Sequence, residues 1–270
     1  VIPRPFAYER PRSVEEAVSI LAAADGRDAR LIAGGQSLVP MLSLGLARPD
    51  VLVDVSRLEL DGIEVVDGRV RIGATTRHRT LELDPEARRL LPLAAEAARH
   101  VGNPRVRNRG TFGGSLAHAD PAAELPVVAV AHGGETVVHG PAGERRILLE
   151  QFFLGYLETA LGPDEVLVAV ELERPPEGTR VGFHEEAQRA DDFALACAAA
   201  MVTPDGQARV VVGGVGDRPL RFDGSVEELP AAVESAVEPE EDAFVSAAFR
   251  RRLAGVCARR ALARAQEDAA

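Results

Sequence analysis

The chain has 270 residues, a formal net charge of −11 and 46% hydrophobic content, which fits a globular protein with a substantial core and room for more than one domain. The negative balance argues against a nucleic-acid partner, and no apolar run reaches the roughly 20 residues that span a bilayer. All 31 basic residues are Arg, so anion contacts fall to Arg, His or backbone N–H groups.

The opening Val1-Ile2-Pro3-Arg4-Pro5-Phe6 lacks the apolar centre of a signal peptide. The two cysteines, Cys197 and Cys257, have no disulfide or metal spacing and read as buried inert thiols. Together these features predict a cytoplasmic location. Ser13-Val14-Glu15-Glu16 is a capping box opening an Ala-rich helix to about residue 24, stopped by Asp25-Gly26. A short strand over 30–33 runs into Gly34-Gly35, a helix of one or two turns follows over 38–46, and 51–55 is another strand. Alternating residues on either side of Asp67-Gly68 predict a β-hairpin. Residues 86–100 read as one helix, and Pro121 as the start of another across 122–131. Strands are expected near 136–139 and 165–172, and Arg174-Pro175-Pro176-Glu177-Gly178 reads as a linker. Beyond it come strands at 181–184, 193–202 and 208–212, the last two joined by an Asp205-Gly206 turn, and helices over 229–237 and 243–266. The whole reads as α+β, with three units at 1–55, 56–174 and 175–270.

Two loops carry the least ordinary chemistry: Ala33-Gly34-Gly35-Gln36-Ser37 and Thr111-Phe112-Gly113-Gly114-Ser115. Paired glycines allow positive φ and close approach of a ligand to the backbone. Converging N–H groups and neighbouring hydroxyls suit an anion, and two such loops suit the two halves of a diphosphate. Each loop alone is also an ordinary turn, and residue chemistry leaves both readings open. No G-x-G-x-x-G or G-x-x-x-x-G-K-[ST] competes, and Gly213-Gly214-Val215-Gly216 reads as a bend. Arg105, Arg107 and Arg109 alternate and would share one face of a strand, as a solvated face, a subunit contact or compensation for a diphosphate. Ser37, His118 and Asp120 contain hydrolase residue types, but the chain has no G-x-S-x-G elbow. Glu124 suits the first turn of a helix.

"PRPFAYERPRSVEEAVSILA", "LIAGGQSLVPMLSLGLARPDVLVDV", "IGATTRH", "VGNPRVRNRGTFGGSLAHADPAAELP", "EEAQRADDFALA" and "SAAFRRRLAGVCARRAL" occur in that order. With these segments the chain resembles the FAD-binding medium subunit of the molybdenum hydroxylases, in the form of aerobic carbon monoxide dehydrogenase and bacterial xanthine dehydrogenase-like enzymes. The resemblance implies a PCMH-type (vanillyl-alcohol-oxidase-like) fold: two α/β subdomains holding FAD, then a C-terminal antiparallel sheet with helices. It implies that Ala33, Gly34, Gly35, Gln36 and Ser37 contact the FAD diphosphate, with Thr111, Gly113, Gly114 and Ser115 as the second diphosphate loop. It places Glu124 at the ribitol or ribose, Val101 and Leu167 at apolar positions around the cofactor, and His184 near the flavin ring. Two positions depart from the family pattern. Gln36 stands where carbon monoxide dehydrogenases commonly have His, and the stretch 185–193 lacks an aromatic residue and a Gly usual near Ala187 and Asp191.

The same resemblance implies an electron-transfer subunit, working with a molybdenum-cofactor large subunit and a small subunit carrying two [2Fe–2S] clusters, and delivering electrons to NAD or a quinone. Flavin chemistry belongs to the cofactor, and the chain has no Cys ligand set for the clusters. A different reading is a stand-alone FAD-dependent NAD(P)H reductase on a related fold, similar to UDP-N-acetylenolpyruvoylglucosamine reductase, and a third is a scaffold subunit with an emptied flavin site.

Overall fold

The structure is a computed structural model that describes residues 3–189, 191–243 and 245–267. Val1, Ile2, Ala190 and Phe244 lie outside the described residues. Three sheets follow one another along the chain. The first is parallel: Ala7–Glu9 and Ala29–Ile32 flank Val51–Asp54. Its helix, Val14–Ala22, begins where the capping box places it, with the Ser13 side chain accepting from the Glu16 N–H.

The second sheet is antiparallel, in the order Ile63–Val66, Arg69–Gly73, Val166–Leu172, Gly134–Gly140, Gly143–Leu148. The Asp67-Gly68 hairpin is present, with both residues at positive φ. The third sheet is an antiparallel meander of Arg180–Ala187, Ala194–Val202, Gln207–Gly213 and Leu220–Ser225. Helix Ala247–Glu267 lies across it. Small residues permit the close packing: a Cβ on Gly182 would overlap the Ala261 carbonyl oxygen and come within 2.7 Å of the Ala265 nitrogen.

Between the second and third sheets sits a helical layer. Helix Glu124–His132 is buried along its whole length, as expected of a helix that is apolar all round. It shares one core with helix Pro92–Ala98, Phe112, Leu116, Leu167, Phe183, Cys197 and Val211. Both cysteines are buried and unpaired.

Three local expectations are corrected. Residues 86–100 form two helices, Pro85–Leu90 and Pro92–Ala98. Pro92 forces the preceding residue out of helical geometry, and Leu91 sits at φ −137°, ψ 60°. The helix expected from Pro121 starts at Glu124. Asp120 instead turns the chain by accepting from the Ala122 N–H at 2.9 Å, and the Pro121 carbonyl accepts from the Gly214 N–H at 2.7 Å. Arg105, Arg107 and Arg109 lie on a helix, Pro104–Arg109, capped by the Asn103 side chain. They therefore share no strand face. Arg107 is buried and pairs with Glu82 at 2.8 Å, while Arg105 and Arg109 are exposed.

Candidate functional site

The first glycine loop leaves the end of strand Ala29–Ile32. Ala33 is half-buried against the apolar core beneath the parallel sheet. Gly35 has φ +74°, a conformation glycine adopts without strain. The Gln36 amide donates to the Gly34 carbonyl at 3.2 Å. Ser37 is exposed at the start of helix Leu38–Leu44, and its side chain makes no capping bond. Its hydroxyl is free of that duty.

The second loop begins at Thr111, whose hydroxyl caps helix Phe112–His118 by accepting from the Gly114 N–H at 3.1 Å. Gly113 is pressed against the preceding strand: a Cβ there would lie 2.6 Å from the Ala74 Cβ. At Gly114 the only atoms an added Cβ would meet within 4 Å belong to Thr111. The Thr111 Oγ1 would lie 2.6 Å from that Cβ, so the capping hydroxyl leaves no room for a side chain at 114. Ser115 follows, with its hydroxyl 3.0 Å from His78 Nε2.

The two loops meet. A Cβ on Gly34 would overlap the Arg109 carbonyl oxygen, and would lie 2.9 Å from its carbon and 3.0 Å from the Gly110 Cα. Arg77 donates a guanidinium hydrogen bond to that same Arg109 carbonyl. The "IGATTRH" segment is a backbone template for the second loop. Its Ala74 carbonyl accepts from the Gly113 N–H at 2.9 Å, its Thr76 carbonyl from the Phe112 N–H at 2.9 Å, and the His78 N–H donates to the Gly110 carbonyl at 3.1 Å. Segments about 75 residues apart in sequence are thereby closed into one cradle.

The other expected positions are placed differently. Val101 and Leu167 are 9% and 6% exposed and belong to the central core. The Val101 carbonyl accepts from buried Arg107 at 3.2 Å. Glu124 is 8% exposed at the first turn of its helix. Burial pushes its carboxyl up to about 7. His184 turns toward the C-terminal helix, with Nε2 3.0 Å from Glu186 and 3.2 Å from Arg260. The next residue along the strand, Glu185, faces the opposite way; its Oε2 is buried without a hydrogen-bond partner among the described residues, and the Glu124 carboxylate acts on it. Burial and that neighbouring carboxylate raise Glu185 to about 8, so this close carboxyl pair holds a proton near neutrality. Ser37, His118 and Asp120 form no hydrogen-bonded triad among the described residues. Asp120 instead caps the Ala122 N–H, and Ser115 is the hydroxyl that meets a His.

A diphosphate fits the cradle on three observations: a position at 114 that the Thr111 hydroxyl keeps free of a side chain, a Ser37 hydroxyl that makes no capping bond, and a positive-φ glycine at 35 beside it. The family model for the FAD binding domain in molybdopterin dehydrogenase matches residues 4–175. The chain belongs to this family. Relatives of the molybdopterin-dehydrogenase FAD domain match along nearly the full length. The 6-hydroxypseudooxynicotine dehydrogenase complex subunit alpha of Paenarthrobacter nicotinovorans is 38% identical, covering 97% of this chain and 95% of its own. The carbon monoxide dehydrogenase medium chain of Hydrogenophaga pseudoflava is 36% identical, covering 97% of each. The solved carbon monoxide dehydrogenase from Hydrogenophaga pseudoflava that lacks the Mo-pyranopterin moiety of its cofactor superimposes with a TM-score of 0.94, at 35% identity and full coverage of both chains. The chain is thus an FAD-binding subunit of the molybdenum-hydroxylase type, its cofactor is FAD, and its class is oxidoreductase. No described helix is long and apolar enough to cross a membrane.

Sequence reading missed His78 and Glu185. His78 stands at the end of "IGATTRH", and the only sequence signal for it is that motif's place in the resemblance. Glu185 has a clearer signal, because period-two alternation puts 184 and 185 on opposite faces.

Proposed function

We propose that this chain is the electron-transfer subunit of a molybdenum hydroxylase complex. In this reading it takes electrons from [2Fe–2S] clusters on a small subunit, downstream of a molybdenum-cofactor large subunit, and passes them to NAD or a quinone. The observation that carries the reading is the contact of Gly34 with the Arg109–Gly110 backbone, which joins the two glycine loops into a single diphosphate cradle.

Ala33, Gly34, Gly35, Gln36 and Ser37 would hold one side of the FAD diphosphate, and Thr111, Gly113, Gly114 and Ser115 the other. Glu124 would meet the ribitol or ribose, and Val101 and Leu167 would back the cofactor from the central core; His184, expected near the flavin ring, is engaged by Glu186 and Arg260. Bound FAD supplies two-electron chemistry that can also proceed one electron at a time. The chain's own part is to hold and shield it. The glycines admit the phosphates to the backbone, the hydroxyls of Ser37 and Ser115 supply donors, and the apolar layer at Val101 and Leu167 excludes water. The buried Glu124 carboxyl and its half-buried neighbour Glu185 hold a proton near neutrality.

Cys197 and Cys257 are buried in separate packing and offer no cluster ligand set, which supports placing the iron–sulfur centres on another chain. Both thiols being free also supports a cytoplasmic location. The named complexes of the two relatives differ in what they act on, a nicotine derivative and carbon monoxide, which supports assigning substrate choice to the large subunit. The first test is the visible absorption spectrum of the purified chain after incubation with FAD and removal of excess. A flavin spectrum with FAD released on denaturation is expected. Purification from the native host should also retrieve a molybdenum subunit and an iron–sulfur subunit. NADPH turnover by the chain alone, with no partners, would replace this proposal with the stand-alone reductase.

A further inference from the structure

His78 is 4% exposed, and its ring has no role in the site as the sequence presents it. The ring lies against Gly110, where an added Cβ would come within 2.7 Å of both Cε1 and Nδ1. Its Nε2 is 3.0 Å from the Ser115 hydroxyl. Its Nδ1 is buried with no hydrogen-bond partner. Burial is the largest influence on its protonation, and the Arg77 and Arg107 charges add to it, so the ring's pKa falls to about 4. The Thr111 carbonyl works the other way by favouring a proton on the ring. At neutral pH the imidazole is therefore neutral and carries a single N–H.

The surroundings decide which nitrogen holds it. A hydrogen on Nδ1 would be a buried donor with no acceptor in hydrogen-bonding geometry among the described residues, which native structures rarely tolerate. A hydrogen on Nε2 has the Ser115 oxygen in front of it. A serine oxygen that accepts this bond has its own hydrogen left to donate. Without it, the hydroxyl of a helical serine commonly turns back to the carbonyl four residues earlier, here that of Thr111.

We propose that His78 is a positioning residue: its Nε2–H donates to Ser115 Oγ and turns the Ser115 hydroxyl hydrogen out of the helix toward the bound diphosphate. This rests on the cradle reading above, and the experiment separates the two. FAD would be titrated into the complete apo chain for the unmutated protein, His78→Gln, His78→Phe, Ser115→Ala and the double variant His78→Phe/Ser115→Ala. One hydrogen bond of ordinary strength corresponds to a fold-change in Kd of about five to ten. His78→Phe and Ser115→Ala should each weaken FAD by that factor, and the double variant should be no worse than either single one. His78→Gln, which keeps a side-chain N–H donor, should bind nearly as the unmutated chain does. Nitrogen-15 NMR of the unmutated apo chain should report the Nε2–H tautomer, a reading that needs neither FAD nor a variant. Additive losses in the cycle, or an Nδ1–H tautomer, would overturn the role of His78 while leaving the cradle intact. Failure of the unmutated chain to bind FAD would overturn both.

Discussion

The closest approach in the cradle is backbone to backbone, so Gly34→Ala is the sharpest test of how it is built. The new Cβ would lie 2.9 Å from the Arg109 carbonyl carbon, 3.0 Å from the Gly110 Cα, and nearer still to the carbonyl oxygen. Carbon atoms settle at about 3.5–4.0 Å, and no flexible side-chain end is available to yield. The Arg109 oxygen is also held by Arg77. The loops must therefore part, at a cost of about 1–3 kcal/mol typical of overpacking. Where that cost falls on the cofactor-bound state, it raises the Kd for FAD roughly five- to a hundredfold. Where it falls on the fold, the melting temperature drops by about 2–10 °C. Both are read from one preparation, by flavin fluorescence titration and by thermal denaturation with and without FAD. Gly26→Ala is the control: nothing lies within 4 Å, but φ is +80°, so it should lose about 1 kcal/mol of stability without touching FAD affinity. A Gly34→Ala protein with both unmutated affinity and unmutated stability would refute the contact between the loops.

The Glu124–Glu185 pair makes stability depend on pH. Both groups are raised above the ordinary 4.5, to about 7 and about 8, so the folded state keeps protons that the unfolded chain releases. Their contribution is complete below 4.5 and is lost as pH rises through about 7–8. About 3 kcal/mol is the scale for Glu124 alone. Chemical denaturation across pH 5–8.5 should show this fall in the unmutated apo chain and a flatter profile in Glu185→Gln; an unchanged slope would dismiss the pair as its source. Arg107→Ala removes the buried partner of Glu82 and the donor to the Val101 and Gly102 carbonyls. Arg79 still pairs with Glu82 at 2.9 Å, so the loss should sit near the lower end for a broken buried pair, about 3 kcal/mol, measured by urea unfolding. Burial pushes the Cys257 thiol up to about 12 and Cys197 higher than its ordinary range. Iodoacetamide should therefore leave the native chain unmodified and add two adducts in guanidinium, counted by mass spectrometry; an adduct on the folded chain would contradict the packing.

Elements with a local cause were legible in the sequence. The Ser13 capping box, the Asp67-Gly68 and Asp205-Gly206 turns and the buried strand at 166–172 each depend on residues a few positions apart. Strand Leu220–Ser225 escaped notice because its alternation, Leu220-Arg221-Phe222-Asp223, lasts only four residues before Gly224-Ser225, which read as a turn. Strand Gly143–Leu148 reads as charged because its Arg145 and Arg146 serve ion pairs across the sheet. Helix His78–Leu83 is short and opens without a side-chain cap. The break at Leu91 was legible from Pro92 but was overridden by the helical composition around it.

The site divides the same way. Its two glycine loops stand out because glycine pairs beside hydroxyls are local patterns, yet what makes them one site is not local. Gly34 must be glycine because of a carbonyl 75 positions later, and that carbonyl is fixed by Arg77 from a third segment. Residues 74–78 hold both ends of the second loop, through Ala74 and Thr76 at its helix, His78 at Gly110, and the His78 ring at Ser115. A substitution in this short stretch should therefore reach the cofactor without touching it. Arg77→Met, which keeps the length of the side chain but not the donor to the Arg109 carbonyl, should weaken FAD binding by about five- to tenfold with little loss of stability, because Arg77 lies outside the apolar cores. Equal weakening in a Gly34→Ala background would show that Arg77 and Gly34 act separately; a smaller effect there is expected if both serve the single junction between the loops.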